Sequence, residues 1–426
     1  MFKVKYVYSA CIIIETDDCR ILCDPWFTDG IYDGAWYQHP KLEDPISTIG
    51  DVDFIYVSHI HPDHYDPIFL KKYFKFFGKK KIFIPNYKEN NYLQKKGIFD
   101  NIELTPVDTF KYKNTRLDIF PQNNSGHDID SALLVTFNSK SILNLNDCGK
   151  EKKQTSKIKK TIKNLNTKLI MMASSYNAAG PYPQTYYDLS SDLKLHSKDH
   201  AQTYVKKFLD FSEEFNAKID FPFAGEYILG GKNSYLNEYR SNIDALEIKK
   251  ISKKVVVLKE GLGEVDLETL KIDNERTEIF NKKDLYKRLD QVKRYKYAYE
   301  KQIKIPFEDI NWFRIVPICF NRAVKKLNYK KDYFYSFHIK DGDQIKTKFL
   351  ININFNDPFL DFNPDNHAYC SKKRCSEITI DYRYLFGLLT SVYHWNNAEV
   401  GSQFLTRRNC KFDRKAQEFL TFFSIN

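Results

Sequence analysis

The stretch VSHIHPDHYD, residues 57–66, puts three histidines and two aspartates into ten positions of a chain that has 10 histidines in 426 residues. An apolar run, residues 54–57, leads directly into it. Short continuous apolar runs of this kind read as buried strands. His59, His61, Asp63 and His64 then sit on a loop just past a strand end, where a rigid scaffold presents chemistry. Neutral imidazoles with a carboxylate are borderline ligands that suit Zn²⁺, Fe or Mn. Pro62 stiffens the turn, so the ligand directions are partly set before a metal arrives. A polar loop with chance histidines is the bland alternative, and the density of the cluster argues against it. The loop reads as a metal site.

A metal pair needs further ligands on later strand ends. NNSGHDIDSALLV offers His127, preceded by a glycine that lets the backbone turn tightly. SILNLNDCG offers Asp147 at the end of another strand, where a carboxylate can bridge two cations. Each would ordinarily be a turn residue. The cluster upstream is what makes ligands of them.

The first half reads as short apolar strands (KKIFIPN, IELTPVDTF, TRLDIF, SALLVTF, SILNLND) separated by turn residues, with a hairpin of KYVYSACIIIET and CRILCDPW about a polar turn. Helical spacing appears in PIFLKKYFKFF and in AQTYVKKFLDFSEEFNAKI, whose Val205, Phe208, Leu209 and Phe215 read as core. After VVVLKEGLGEVDLE the texture changes: residues 268–300 are highly charged and read as helical, followed by aromatic strands and closing helices. A boundary near 267 divides the chain into a catalytic unit, 1–267, and an accessory α+β unit, 268–426. No run nears the roughly 18 apolar residues needed to span a membrane, and the N-terminus lacks a signal-peptide plan. A cytoplasmic setting is therefore expected, with the eight scattered cysteines kept as buried thiols. The formal charge of +11 is dispersed as surface lysine without a nucleic-acid motif, so it points to an anionic small-molecule substrate.

The order of these elements resembles the metallo-β-lactamase superfamily. That resemblance implies an α/β fold, an αββα sandwich with a dinuclear site at the edge of its two sheets. It implies that His59, His61 and His127 hold one metal, while Asp63, His64 and the bridging Asp147 belong to the other. More narrowly, YVYSACIIIET, ILCDPWFTDG, FIYVSHIHPDH, ILNLNDC, MMASSYNAAGPYPQTY and FPFAGEY resemble the metallo-β-lactamase-like part of the CMP-N-acetylneuraminate hydroxylase family, and HWNNAEVGSQFLTRR extends the similarity into the second unit. The cysteine and histidine spacing of a Rieske iron–sulfur centre is absent from this sequence. One departure stands out. Superfamily hydrolases carry a last histidine on a late strand, and the corresponding stretch KVVVLKEGLG has Lys259 and Glu260. Glu260 or Glu226 would have to substitute, or the second metal would be weakly held, or the site would hold a single metal.

Several loops offer a pocket. DPWFTDGIYDGAWYQHP groups Trp26, Phe27, Trp36 and Tyr37 near Asp24 and His39, an aromatic set able to stack on a sugar or base, or to plug the core. SSYNAAGPYPQTY offers Tyr176 and Tyr182, and AGEYILGGKNSY offers Glu226 and Lys232. In HWNNAEVGSQFLTRRN the polar set is His394, Asn397, Glu399, Arg407 and Arg408, and the two arginines suit bidentate binding of phosphate or carboxylate unless they serve an interdomain contact. Two activities follow as expectations. The first is a metal-dependent hydrolase of an anionic sugar, sugar phosphate or nucleotide sugar, using two divalent ions, Zn or Fe, with Asp63 acting on the nucleophile. The second is an iron-dependent oxygenase, which would need a separate reductase or Rieske protein.

Overall fold

Strict alternation along the early strands decides which face each side chain takes. In a computed structural model that describes residues 1–87, 90–122, 129–188, 192–363 and 373–426, Phe2, Val4 and Tyr6 face one core with Ile12 and Ile14. Val7, Cys11 and Ile13 face another on the opposite side of the same sheet. The expected hairpin is a three-strand meander, because the first run breaks at Ser9, whose φ is 50°. Phe2–Tyr8, Cys11–Thr16 and Arg20–Cys23 pair antiparallel in turn.

These strands continue into an eight-stranded sheet through parallel pairing of Arg20–Cys23 with Phe54–Tyr56 and of that strand with Lys81–Pro85. A six-stranded sheet runs from Ile219–Phe223 through Lys168–Ser175, Lys140–Asn144, Ser131–Phe137 and Thr115–Pro121 to Thr109–Tyr112. The inner faces meet in a core of Val4, Ile12, Ile21 and Tyr56 against Leu117, Leu133, Val135, Ile142 and Met171. Helix Pro67–Phe77 covers the outside of the first sheet with Phe69, Leu70 and Tyr73. Helix Leu193–Phe215 covers the second with Val205, Phe208, Phe211 and Phe215. This is the expected αββα sandwich.

A third sheet, of six strands, forms the core of the α+β part, with helices Trp312–Leu327, Tyr382–Leu389 and Arg414–Phe422 packed on it. Two strands cross the expected boundary at 267. Ile272–Asp273 pairs within the first sheet, and Tyr186–Asp188 pairs parallel with Leu405–Arg408 in the third. The charged stretch after 267 is helical only from Lys282, as Lys282–Val292 and Ala298–Gln302. Of the cysteines, Cys11, Cys19, Cys23, Cys148 and Cys319 are buried free thiols and Cys410 is a partly exposed one. Cys375 is disulfide-bonded, which corrects the expectation of thiols throughout. Among the described residues no helix is long and apolar enough to cross a membrane.

The two parts meet at a buried tryptophan of the first. Trp36, 1% exposed, stacks on Tyr227 with centroids 3.4 Å apart and planes 8° apart. Its indole N–H donates to the Val400 carbonyl at 3.1 Å. Trp36→Ala should cost about 3–5 kcal/mol of folding stability by chemical denaturation. A loss under about 1 kcal/mol would mean that the ring is not the buried strut described here.

Candidate metal centre

The loop after Phe54–Tyr56 is held from below. Asp24, at φ 44° just past Arg20–Cys23, accepts the Ser58 N–H on Oδ1 at 2.7 Å. Its other oxygen lies 3.2 Å from His64 Nδ1. Ser58 Oγ sits between two imidazoles, 2.9 Å from His59 Nδ1 and 3.3 Å from His64 Nδ1. The loop then closes as a turn, with the His64 and Tyr65 N–H groups donating to the His61 carbonyl. Asp66 caps the following helix through the Phe69 N–H at 2.9 Å, and Pro67 opens it without a donor to satisfy.

Engaging Nδ1 turns the other nitrogen of each ring toward a common point, the usual way an outer partner fixes a ligand histidine. His64 Nε2 lies 3.4 Å from an oxygen of Asp63 and 3.4 Å from one of Asp147. His59 Nε2 is 2.9 Å from His61 Nδ1 and 3.6 Å from Asp130 Oδ1. Tyr32 donates its hydroxyl to Asp63 Oδ1 at 2.6 Å. Donor atoms of His59, His64 and Asp147 all lie within 4.8 Å of one another, and among the described residues this is the group suited to a metal. His64 Nε2 and Asp147 Oδ1 are buried without a hydrogen-bond partner. Buried polar atoms left unmatched are costly, and a divalent cation between them would satisfy both. The donor set fits.

Charge agrees with geometry. Burial, with His64 and His61 adding to it, pushes His59 well below its ordinary value, and burial lowers His61, so both are the neutral imidazoles that metals take. Burial would raise Asp63, but the His64 charge, with the hydrogen bond from Tyr32 beside it, outweighs it and holds the carboxyl at about 2. Asp147 is likewise held down against its burial by His64. For His64 burial works downward, and Asp63, Asp24 and Asp147 together hold it well above its ordinary value. An anionic ring surrounds one site.

The structure therefore brings together His59, His61, Asp63, His64 and Asp147. His127 lies outside the described residues. Trp36 reaches the cluster only indirectly, with its ring 4.5 Å from that of Tyr32. Tyr176 is buried and donates to Glu226 Oε1 at 2.9 Å, and the two line a cavity of about 560 Å³ with His39, Tyr227, Arg240 and Phe280. Tyr182 lies against His200, ring to ring at 4.9 Å. Lys232 is paired with Asp381 at 2.8 Å. The arginine pair is not an anion clamp. Arg407 and Arg408 lie on the strand Leu405–Arg408, where successive side chains point to opposite faces, and Arg407 is exposed while Arg408 is buried. His394 caps the helix Trp395–Val400, and Glu399 accepts from Gln417 at 2.8 Å. Asn397 lines a separate cavity of about 200 Å³ with Asp33 and His394.

Neither proposed substitute for the last histidine belongs to the described donor group. Burial, with Glu226 adding to it, pushes Glu260 up to about 8. Burial also raises Glu226, against the opposing charge of Arg276. Sequence reasoning missed Tyr32, Ser58 and Asp130 around the cluster. It also missed Tyr204 and Lys207 of the helix Leu193–Phe215, and Asn396, whose side chain hydrogen-bonds His61. Asp24 it placed only in the aromatic loop. An aspartate directly after an apolar strand, as in ILCD, was the available signal.

Residues 3–170 match the family model described as the beta-lactamase superfamily domain. The match covers less than half of the chain and is to the superfamily that the sequence resembles. Among similar proteins is a cytidine monophosphate-N-acetylneuraminic acid hydroxylase of Danio rerio, 23% identical over 265 residues, 59% of this chain and 43% of that protein. The Macaca mulatta hydroxylase is 25% identical over 270 residues, again 59% and 43%. The chain thus spans less than half the length of these curated relatives. Solved structures of similar fold include an isothiocyanate hydrolase from Delia radicum gut bacteria (TM-score 0.41, 13% identity, 62% of this chain and 98% of that one). Another is CmlA, a diiron β-hydroxylase from Streptomyces venezuelae (TM-score 0.38, 10% identity, 60% and 52%).

Asp24→Asn should weaken metal affinity about 10- to 100-fold with the fold intact, read by competition with a chromophoric chelator; unchanged affinity would remove Asp24 from the site's support. His64→Ala should lower metal content toward one ion per chain by elemental analysis, and full occupancy would strike it from the ligand set. Glu260 holds its proton more tightly folded than unfolded, so its contribution to stability is complete below its usual 4.5 and falls away as pH rises to about 8. Glu260→Gln should flatten the loss of thermal stability across that window, and an unaltered pH profile would contradict the raised carboxyl.

Proposed function

We propose that this enzyme is a metal-dependent hydrolase acting on an anionic sugar, sugar phosphate or nucleotide sugar. The observation that carries the reading is the convergence of His59, His64 and Asp147 donor atoms within 4.8 Å, with ionised Asp63 beside them. The proposed ligand set is His59, His61 and His127 for one position and Asp63, His64 and Asp147 for the other. Bound divalent metal, zinc or iron, supplies Lewis acidity that polarises the scissile group and brings the pKa of water toward neutrality.

The residues divide the remaining work. His59 and His61 bring neutral imidazoles, so the net charge of the filled site is set by Asp63 and Asp147. Held at about 2, Asp63 is too weak a base to keep a proton at neutral pH. Its part is to orient the attacking water with an acceptor oxygen that Tyr32 fixes from behind. Trp36 and Tyr227 shield this arrangement from solvent.

A second reading is iron-dependent hydroxylation. The hydroxylase relatives favour it, as does the stretch with Lys259 and Glu260 in place of a last histidine. Its electrons would come from a separate reductase or Rieske protein. We further propose a cytoplasmic setting, which the buried free thiols support. The division into a catalytic unit, 1–267, and an accessory unit, 268–426, is likewise a proposal, with strands exchanged across it.

Zinc-loaded and iron-loaded protein, each given a panel of nucleotide sugars and sugar phosphates, separates the readings. Hydrolysis products that appear without O₂ uptake, and that fall roughly 10- to 100-fold in Asp63→Asn, are expected. Reductant-dependent O₂ uptake by the iron form alone, with an oxygenated product, would replace hydrolysis by hydroxylation.

A further inference from the structure

Helix Leu193–Phe215 packs on the second sheet through its apolar stripe, yet it sends two polar side chains toward the metal centre. Tyr204 and Lys207, three residues apart, share one face of the helix. Lys207 Nζ donates to Ser175 Oγ at 3.0 Å and reaches the Cys148 carbonyl at 3.5 Å. It lies 5.1 Å from the centre of the Tyr204 ring. Cys148 follows Asp147 directly, and Ser175 ends the strand Lys168–Ser175, so the ammonium stands beside the ligand loop.

Its partners are all neutral. No described carboxylate forms an ion pair with Lys207, although Asp147 and Asp130 are near enough to act on its charge. Burial lowers its pKa against those two carboxylates and Cys148. A part-buried ammonium whose direct hydrogen bonds go to neutral groups is better satisfied when an anion binds it directly. The exposed lysines of this chain need no such explanation. The other cationic candidates are placed elsewhere: Lys232 pairs with Asp381, and Arg407 is bonded to the Tyr187 hydroxyl on the third sheet. Tyr204 presents its ring to the ammonium, and its hydroxyl is raised to about 12, chiefly by burial.

We infer that Lys207 receives an oxyanion of the substrate, a phosphate or a carboxylate, next to the reacting bond, with Ser175 and Tyr204 holding the ammonium in place. This deepens the reading of the site as a metal-dependent enzyme and rests on it. It also narrows the substrate class to molecules whose anionic group lies on the side of the metal centre that carries the Asp147–Cys148 loop. Lys207 is a substrate-binding residue on a helix whose Val205, Phe208 and Phe215 form core.

Inorganic phosphate and acetate, titrated calorimetrically into zinc-loaded protein freed of excess metal, test this on the full chain. Metal content is measured first, in the wild type, Lys207→Gln and Lys207→Arg, and all three should hold the same amount. The wild type and Lys207→Arg should bind phosphate, and Lys207→Gln should bind on the order of tenfold more weakly. Acetate competing where phosphate does not would identify a carboxylate as the group received. Equal phosphate affinity in Lys207→Gln, or no binding of either anion by metal-replete wild type, overturns the inference while leaving the metal centre standing. A wild type that holds no metal defeats the metal reading, and this inference with it. A melting temperature for each variant separates a lost charge from a lost fold.

Discussion

A single buried carboxylate, Asp24, carries the metal centre. One of its oxygens fixes the backbone at Ser58, and the other faces the imidazole of His64, so the loop's path and one ring's direction are set together. Everything above it depends on that bracket. The Ser58 hydroxyl aligns two rings, the His61 carbonyl closes the turn, and Asp63 and Asp147 converge on the same nitrogen of His64. Removing water from so many acids is expensive. The positive charge that burial should have taken from His64 is kept there by three carboxylates.

The centre is also walled by the other half of the chain. Trp36 lies between Tyr227 and Tyr32, and its indole is hydrogen-bonded to Val400. Gln403 donates to the Tyr32 carbonyl, and the Tyr384 hydroxyl donates to Asp33 at 2.9 Å. Arg240 lies flat on the far face of the aromatic column, 3.5 Å from the Tyr227 ring. The tyrosine that steadies Asp63 is thus itself positioned from residues more than 350 places away in sequence.

Much of this was legible and some was not, for physical reasons. His59, His61, Asp63 and His64 were visible because their donors sit within one turn of one loop. Asp147 was visible because a strand ends before it. The sandwich came from the resemblance to the metallo-β-lactamase superfamily, because short apolar runs alone do not separate a buried strand from a short helix. Lys207 was hidden because a lysine off the apolar stripe of an amphipathic helix reads as solvated surface. Asn396 was hidden because only the tertiary fold brings its side chain to His61. Arg407 and Arg408 misled for a local reason: the four residues Leu405–Arg408 follow a helical stretch and are too few for alternation to register.

The strand Tyr186–Asp188 has a further meaning for the history of such a chain. It lies inside the first unit by sequence and inside the third sheet by pairing, with the Thr406 N–H bonded to the Thr185 carbonyl at 2.8 Å. Cutting the gene between the units would strip that strand from its sheet and leave Leu405–Arg408 as a bare edge, open to pairing with other chains. The two halves are stitched, not merely adjacent. Exchanging either half for an unrelated one would break this pairing, so the edge of the third sheet constrains both at once.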